Sequence, residues 1–204
     1  FANASTDGAA ALADPAVDTV VIATRHDAHA RLVVAALRAG KHVFCEKPLC
    51  LTLDELAGIE AVAVRHPDRL LMVGFNRRFA PQVVKMRELL STVAEQKSFV
   101  MTVNAGAIPA THWTQDRAVG GGRIVGEGCH FVDLLRHLAG APIVRTHAVA
   151  LGRNPALAVR DDKATLTLEF GDGSVGTIHY LANGDKSFPK ERLEVFCAGR
   201  VLQL

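Results

Sequence analysis

The chain has 204 residues, 49% of them apolar and 22% charged, with a net charge of +2; that is enough to bury a sizeable core in one large or two small domains. No Lys/Arg block reaches five residues, which argues against nucleic-acid binding, and apolar runs such as Leu70-Leu71-Met72-Val73 fall far short of the roughly twenty residues of a membrane helix. Cys45, Cys50, Cys129 and Cys197 show no Cys-x-x-Cys spacing, so reduced thiols and a cytoplasmic location are expected.

In chain order, Thr6-Asp7 is placed to cap a short helix through Leu12 that Asp14-Pro15 ends. Residues 19 to 23 are β-branched and continuously apolar, which predicts a strand covered on both faces. Residues 28 to 39 follow as a helix with Gly40 at its C-terminal end, and residues 42 to 45 form a second buried strand. Thr52-Leu53-Asp54-Glu55 makes a capping box for a helix over 52 to 65, and 70 to 75 reads as a third buried strand. Strand, helix, strand in this order predicts a parallel sheet.

From about residue 81 the pattern changes. An amphipathic helix over 82 to 90 follows Pro81, and then 98 to 104, 143 to 151, 164 to 170, 175 to 181 and 191 to 197 read as strands, with 200 to 204 pairing with the last. Asp172-Gly173 suits a tight hairpin. The alternation in Thr165-Leu166-Thr167-Leu168-Glu169-Phe170 buries one face and leaves the other polar or shared. The expectation is α/β plus α+β: a partial Rossmann-like parallel sheet over 1–80, followed by a mostly antiparallel open sheet over 81–204.

Two stretches carry candidate chemistry. Glu46-Lys47-Pro48 falls at the carboxyl end of the second strand, the edge where α/β sheets bind ligands, and Pro48 restricts Lys47 to extended conformations. An ammonium held there can polarise a carbonyl or pass a proton, with Glu46 orienting it; a solvated ion pair at a turn is the plain alternative. In Gly120-Gly121-Gly122-Arg123-Ile124-Val125-Gly126-Glu127-Gly128-Cys129-His130-Phe131-Val132-Asp133, a helix that included Glu127 would put Glu127, His130 and Asp133 on one face as two carboxylates beside an imidazole. Acidic decoration of a helix N-terminus explains the same residues. Neither His26-x-x-His29 nor Glu127-x-x-His130 has an evident further ligand, so no metal is expected. Asn76 and Arg78 follow the third strand, where a guanidinium can grip a phosphate or a carboxylate, a solvated basic turn being the plain alternative. Trp113, the only tryptophan, suits stacking on a sugar, or packing in a core.

The runs Val20-Val21-Ile22-Ala23-Thr24, His29 and Ala39-Gly40-Lys41-His42-Val43-Phe44-Cys45-Glu46-Lys47-Pro48, with the glycine motif at 120 to 133, resemble the Gfo/Idh/MocA oxidoreductases. Ala23-Thr24-Arg25-His26-Asp27 and Gly126-Glu127 resemble the modules of that family sometimes fused to a zinc-type alcohol dehydrogenase domain. The resemblance implies an enzyme moving hydride between NAD or NADP and an alcohol of a sugar, sugar nucleotide or polyol. It implies Lys47 beside nicotinamide and substrate, His130 as the proton-transfer residue, cofactor contacts from Thr24 and His29, and a homo-oligomer formed through the C-terminal sheet. Gly126 stands where the family has Asp, and Glu127 is one place away. The family's Gly-x-Gly-x-x-Gly turn is nowhere in this sequence, so the text reads as a fragment that would be inactive by itself. A non-catalytic binding or assembly module is the rival reading.

Overall fold

The computed structural model describes residues 4–152, 159 and 161–204. It divides into two units, the first formed by the described residues up to Gly74 together with Arg117–Gly121, the second by Phe75–Asp116 and Gly122–Leu204.

The first unit is built on three parallel strands in the order β1 (Thr19–Ile22), β2 (His42–Cys45), β3 (Leu71–Val73). Three helices join it: α1 (Gly8–Ala13), α2 (His29–Arg38) and α3 (Leu53–Ala63). Asp7 caps α1 by accepting from the Ala10 N–H, and α3 carries the capping box expected at Thr52 and Glu55. The core lies on one face, where Ile22, Val43 and Cys45 meet Ala30, Val33 and Leu37 of α2 and Ile59 and Val62 of α3. The expected coverage of both faces is not what the structure shows. Val21, Phe44 and Met72 are in register across the three strands, and Val21 is 67% and Met72 46% exposed. β3 is likewise shorter and less buried than the apolar text at 70 to 75 implied. Both helices that build this core pack on the Val20/Ile22 side, and a continuous apolar run does not say which elements will reach its second face.

The second unit contains α4 (Pro81–Ser91), β4 (Ser98–Asn104), α5 (Cys129–Ala139), β5 (Ile143–Ala150), β6 (Lys163–Phe170), β7 (Val175–Leu181), β8 (Glu191–Cys197) and β9 (Arg200–Gln203). Its six strands run in the order β5-β6-β7-β4-β8-β9. All neighbours are antiparallel except β4 and β7, which are parallel, because the chain leaves β4, crosses the sheet in α5 and returns through β5 to β7. The period of two in these strands puts Phe99, Met101, Val103, Ile178, Tyr180, Leu193 and Val195 on one face, packed with Phe131, Leu134, Leu135 and Leu138 of α5. Gly176 permits that contact, since a Cβ there would stand 2.8 Å from the Leu135 side chain. No side-chain cap starts α5. Burial of its four large apolar residues, at roughly 2 kcal/mol each, outweighs the ~1 kcal/mol a cap supplies, so packing fixes this helix. The fold class is the one expected: a small parallel sheet and a mostly antiparallel open sheet. Among the described residues no helix is long and apolar enough to cross a membrane.

Candidate active site

In the first unit the strand ends converge at the carboxyl edge of β1 and β2. Glu46, Lys47 and Pro48 leave β2 directly, with the Glu46 N–H bonded to the Ile22 carbonyl at 2.8 Å and the Lys47–Pro48 peptide cis. Lys47 is half-buried, Pro48 buried and Thr24 exposed. The Glu46 carboxylate lies against Gly74, where a Cβ would stand 3.1 Å from it; a side chain at 74 would push the carboxylate away.

His29 is placed differently from the direct cofactor contact implied by resemblance. It is fully buried in the first turn of α2, with Nδ1 2.7 Å from the Pro48 carbonyl and Nε2 3.1 Å from the Thr24 carbonyl. It is a strut between the ends of β1 and β2, joining Thr24 to the Lys47–Pro48 turn. His26 does similar work for the glycine motif: its Nδ1 is 2.8 Å from the Gly120 carbonyl, and the Asp27 N–H donates to the Val119 carbonyl at 3.1 Å. Burial holds the His26 imidazole below its ordinary range against the Gly120 hydrogen bond, and the nearby Lys47 ammonium adds to the effect. The sequence raised His26 as a metal ligand only to set that reading aside, and did not suggest this bond. Among the described residues no three His, Cys, Asp or Glu side chains are placed to hold a metal ion. The four cysteines are free thiols, and burial pushes Cys45 up to about 12, so it is an inert packing group.

In the second unit, Gly122 continues from the motif with φ +76° into a π-helical turn, Ile124–Gly128, which runs straight into α5. His130, in the first turn of α5, is 6% exposed, and Phe75 meets it edge-on with ring centroids 6.1 Å apart. Asp133 is one turn further and 7% exposed. Arg78 holds both Asp133 oxygens in a fork, with Nε donating at 2.7 Å to Oδ2 and Nη2 donating to Oδ1. The guanidinium offered for a ligand phosphate or carboxylate thus holds a carboxylate of its own unit. Asn76 is exposed in the short 3₁₀ turn Asn76–Phe79. Trp113 is half-buried in another, Trp113–Gln115, with the His112 ring beside it at 6.0 Å.

Glu127 and Asp133 engage different partners and form no paired carboxylates. The Glu127 Oε2 accepts from Arg123 at 2.8 Å and from the Tyr180 hydroxyl at 2.5 Å, and Oε1 accepts from Lys190 at 2.9 Å. Arg123 lies four residues before Glu127, a spacing visible in the sequence; Tyr180 and Lys190 are too distant in the chain to have been found from it. Burial pushes the Glu127 carboxyl up, and hydrogen bonds from Tyr180, Arg123 and Lys190 overturn that and bring it down to about 2. Burial, with the hydrogen bond to Glu127 adding to it, pushes the Tyr180 phenol well above its ordinary value. A folded-state value below the ordinary 4.5 means that the stability Glu127 contributes is present above about pH 4.5 and lost as pH falls toward 2. The stability difference between wild type and Glu127→Gln, measured by urea denaturation, is therefore expected to be largest near neutrality and to shrink between pH 4.5 and pH 3. A difference that is flat across this range would contradict the assignment.

Residues 2–75 match the family model described as "Oxidoreductase family, NAD-binding Rossmann fold", and residues 89–202 match the GFO/IDH/MocA C-terminal domain. The myo-inositol 2-dehydrogenase of Thermotoga maritima is 30% identical over 186 residues, 90% of this chain and 55% of the relative. The levoglucosan dehydrogenase of Pseudarthrobacter phenanthrenivorans is 27% identical over 211 residues, 90% of this chain and 54% of the relative. The chain thus spans about half the length of these relatives. Among solved structures, GenD2 from gentamicin A biosynthesis in complex with NAD superposes with a TM-score of 0.76 at 27% identity, covering 98% of this chain and 58% of that one. A levoglucosan dehydrogenase in complex with NADH and levoglucosan superposes with a TM-score of 0.82 at 25% identity, covering 96% and 56%. With both family domains matched in order along it, the chain belongs to the Gfo/Idh/MocA family of NAD-binding oxidoreductases.

Proposed function

We propose that this chain serves an NAD-dependent dehydrogenase that moves hydride to or from a secondary alcohol carbon of a sugar, sugar nucleotide or polyol. The observation that carries the reading is the fixed presentation of Lys47 at the carboxyl edge of the parallel sheet, with its turn braced by the buried His29. The relatives named as inositol and levoglucosan dehydrogenases supply the substrate class. The residues at this edge fit the nicotinamide end of a dinucleotide: Thr24 is exposed, Glu46 is seated on Gly74 and Lys47 is half-buried. Bound nicotinamide supplies the hydride acceptor.

His130 takes the hydroxyl proton of the alcohol, and Lys47 donates a hydrogen bond to the substrate oxygen, favouring it as the C–H bond gives up its hydride. The products are the ketone, the reduced cofactor and one proton. Glu46 orients Lys47, and Trp113 offers an apolar ring face to the sugar. Arg78 and Asp133, bound to each other, stay outside this chemistry.

The test is to mix the full-length protein with NAD⁺ or NADP⁺ and a panel of inositols, levoglucosan, aldoses and sugar nucleotides, and to follow formation of reduced nicotinamide. Turnover on at least one polyol or sugar is expected. Tight dinucleotide binding with no turnover on any alcohol would favour a binding module instead.

A further inference from the structure

Both Glu127 oxygens accept hydrogen bonds, and the three donors come from three separate places in the second unit. Tyr180 belongs to the core face of β7 and is fully buried. Arg123 is 7% exposed and pinned from behind, donating to the Gly106 carbonyl and, at 3.1 Å, to the Ala105 carbonyl just past β4. Lys190 lies in the segment between β7 and β8, and its backbone carbonyl accepts the Asn104 N–H at 2.8 Å. The Asn104 side chain clasps the same segment through the Asp185 carbonyl at 2.6 Å and the Phe188 carbonyl at 3.2 Å. Tyr180 and Arg123 are therefore held in place independently of the carboxylate they share, and the backbone that carries Lys190 is anchored to β4.

What they hold is a π turn. Such turns are rare, less regular than an α-helix and concentrated at functional sites. This one runs into α5 without a side-chain cap, and His130 is in the first turn after it. We propose that Glu127 is a positioning residue: a permanently engaged anion that ties the π turn to β4, β7 and the Lys190 segment and so sets where the His130 imidazole points. A proton-transferring carboxylate needs an oxygen that can meet substrate and a proton it can exchange. Here Oε2 accepts from two donors and Oε1 from a third, and all three favour the ionised form. Glu127 therefore acts through His130 and does not touch the reacting atoms. This rests on the dehydrogenase reading only for the kinetic part of its test.

The experiment uses the full-length protein with ring-labelled histidine. The imidazole NMR signals of His130, assigned by their loss in His130→Gln, are compared in wild type, Glu127→Gln, Tyr180→Phe and the control Lys85→Gln, whose ion pair with Glu88 is exposed. The signals are expected to move in Glu127→Gln and Tyr180→Phe and to stay in place in the control. With a turned-over polyol, kcat of Glu127→Gln should fall about tenfold or more, the scale of a misplaced group. The shape of its pH profile should persist, because Glu127 is not the group that titrates. Unmoved His130 signals in both variants would overturn the proposal, as would an unchanged kcat or a pH limb that disappears with Glu127. Where Glu127→Gln fails to fold, Tyr180→Phe, which takes away one donor of three, carries the same comparison. Absence of wild-type turnover would sink the dehydrogenase reading and leave the NMR comparison to decide this one.

Discussion

Replacing Lys47 by alanine in the full-length protein is expected to lower kcat about a hundredfold or more, and His130→Ala should do the same, the scale of a lost general acid or base. Lys47→Arg should rescue little, because a planar fork cannot take the place of a compact ammonium at a turn this constrained. The two losses differ in their pH dependence. His130→Ala should remove the limb of the kcat profile that reports the proton acceptor, whereas Lys47→Ala should lower the whole profile. Steady-state kinetics across pH decide this, and wild-type turnover in either variant would take that residue out of the mechanism.

The largest stability effect is expected at Arg78. Its fork holds both oxygens of an Asp133 carboxylate that is only 7% exposed, while the Arg78 side chain itself is 32% exposed. Removing the cation leaves a buried negative charge uncompensated, which costs about 3 kcal/mol, the lower end for a broken buried pair because one partner still reaches water. Arg78→Leu should therefore shift the urea midpoint sharply downward at unchanged slope. Arg78→Leu combined with Asp133→Leu should recover most of the loss, since an apolar pair of similar volume has no charge to strand. A single variant as stable as wild type would show that water or another donor already serves Asp133.

Much of the fold was legible because its signals are local. The alternation in Thr165–Phe170 fixes which residues of β6 face the core within the strand itself. Thr52 and Glu55 satisfy each other across one helical turn, and Asp172-Gly173 makes its hairpin in place. The second face of the parallel sheet was not legible: Val21 and Met72 are as apolar as Ile22 and Val73, and only the packing of α2 and α3 distinguishes them. The same divide runs through the candidate site. Lys47 could be placed from a strand end and a proline. Arg78 read as an available cation because its partner Asp133 is 55 residues away, and Glu127 read as an acid/base group because Tyr180 and Lys190 are 53 and 63 residues away. His29 matched a motif, but nothing in the sequence revealed that carbonyls occupy both of its nitrogens.

The single parallel pair in the six-stranded sheet bears on the order of assembly. β4 is flanked by β7 and β8, and both partners lie beyond α5 and two further strands, whereas β5, β6 and β7 pair with near neighbours in the chain. Loop-closure entropy favours the β5-β6-β7 meander forming first, with β4 joining it late. During synthesis β4 emerges well before either partner exists, so Phe99, Met101 and Val103 wait as an unpaired, strongly apolar strand until β7 has left the ribosome. An apolar strand exposed over that interval is open to misassociation and to capture by chaperones.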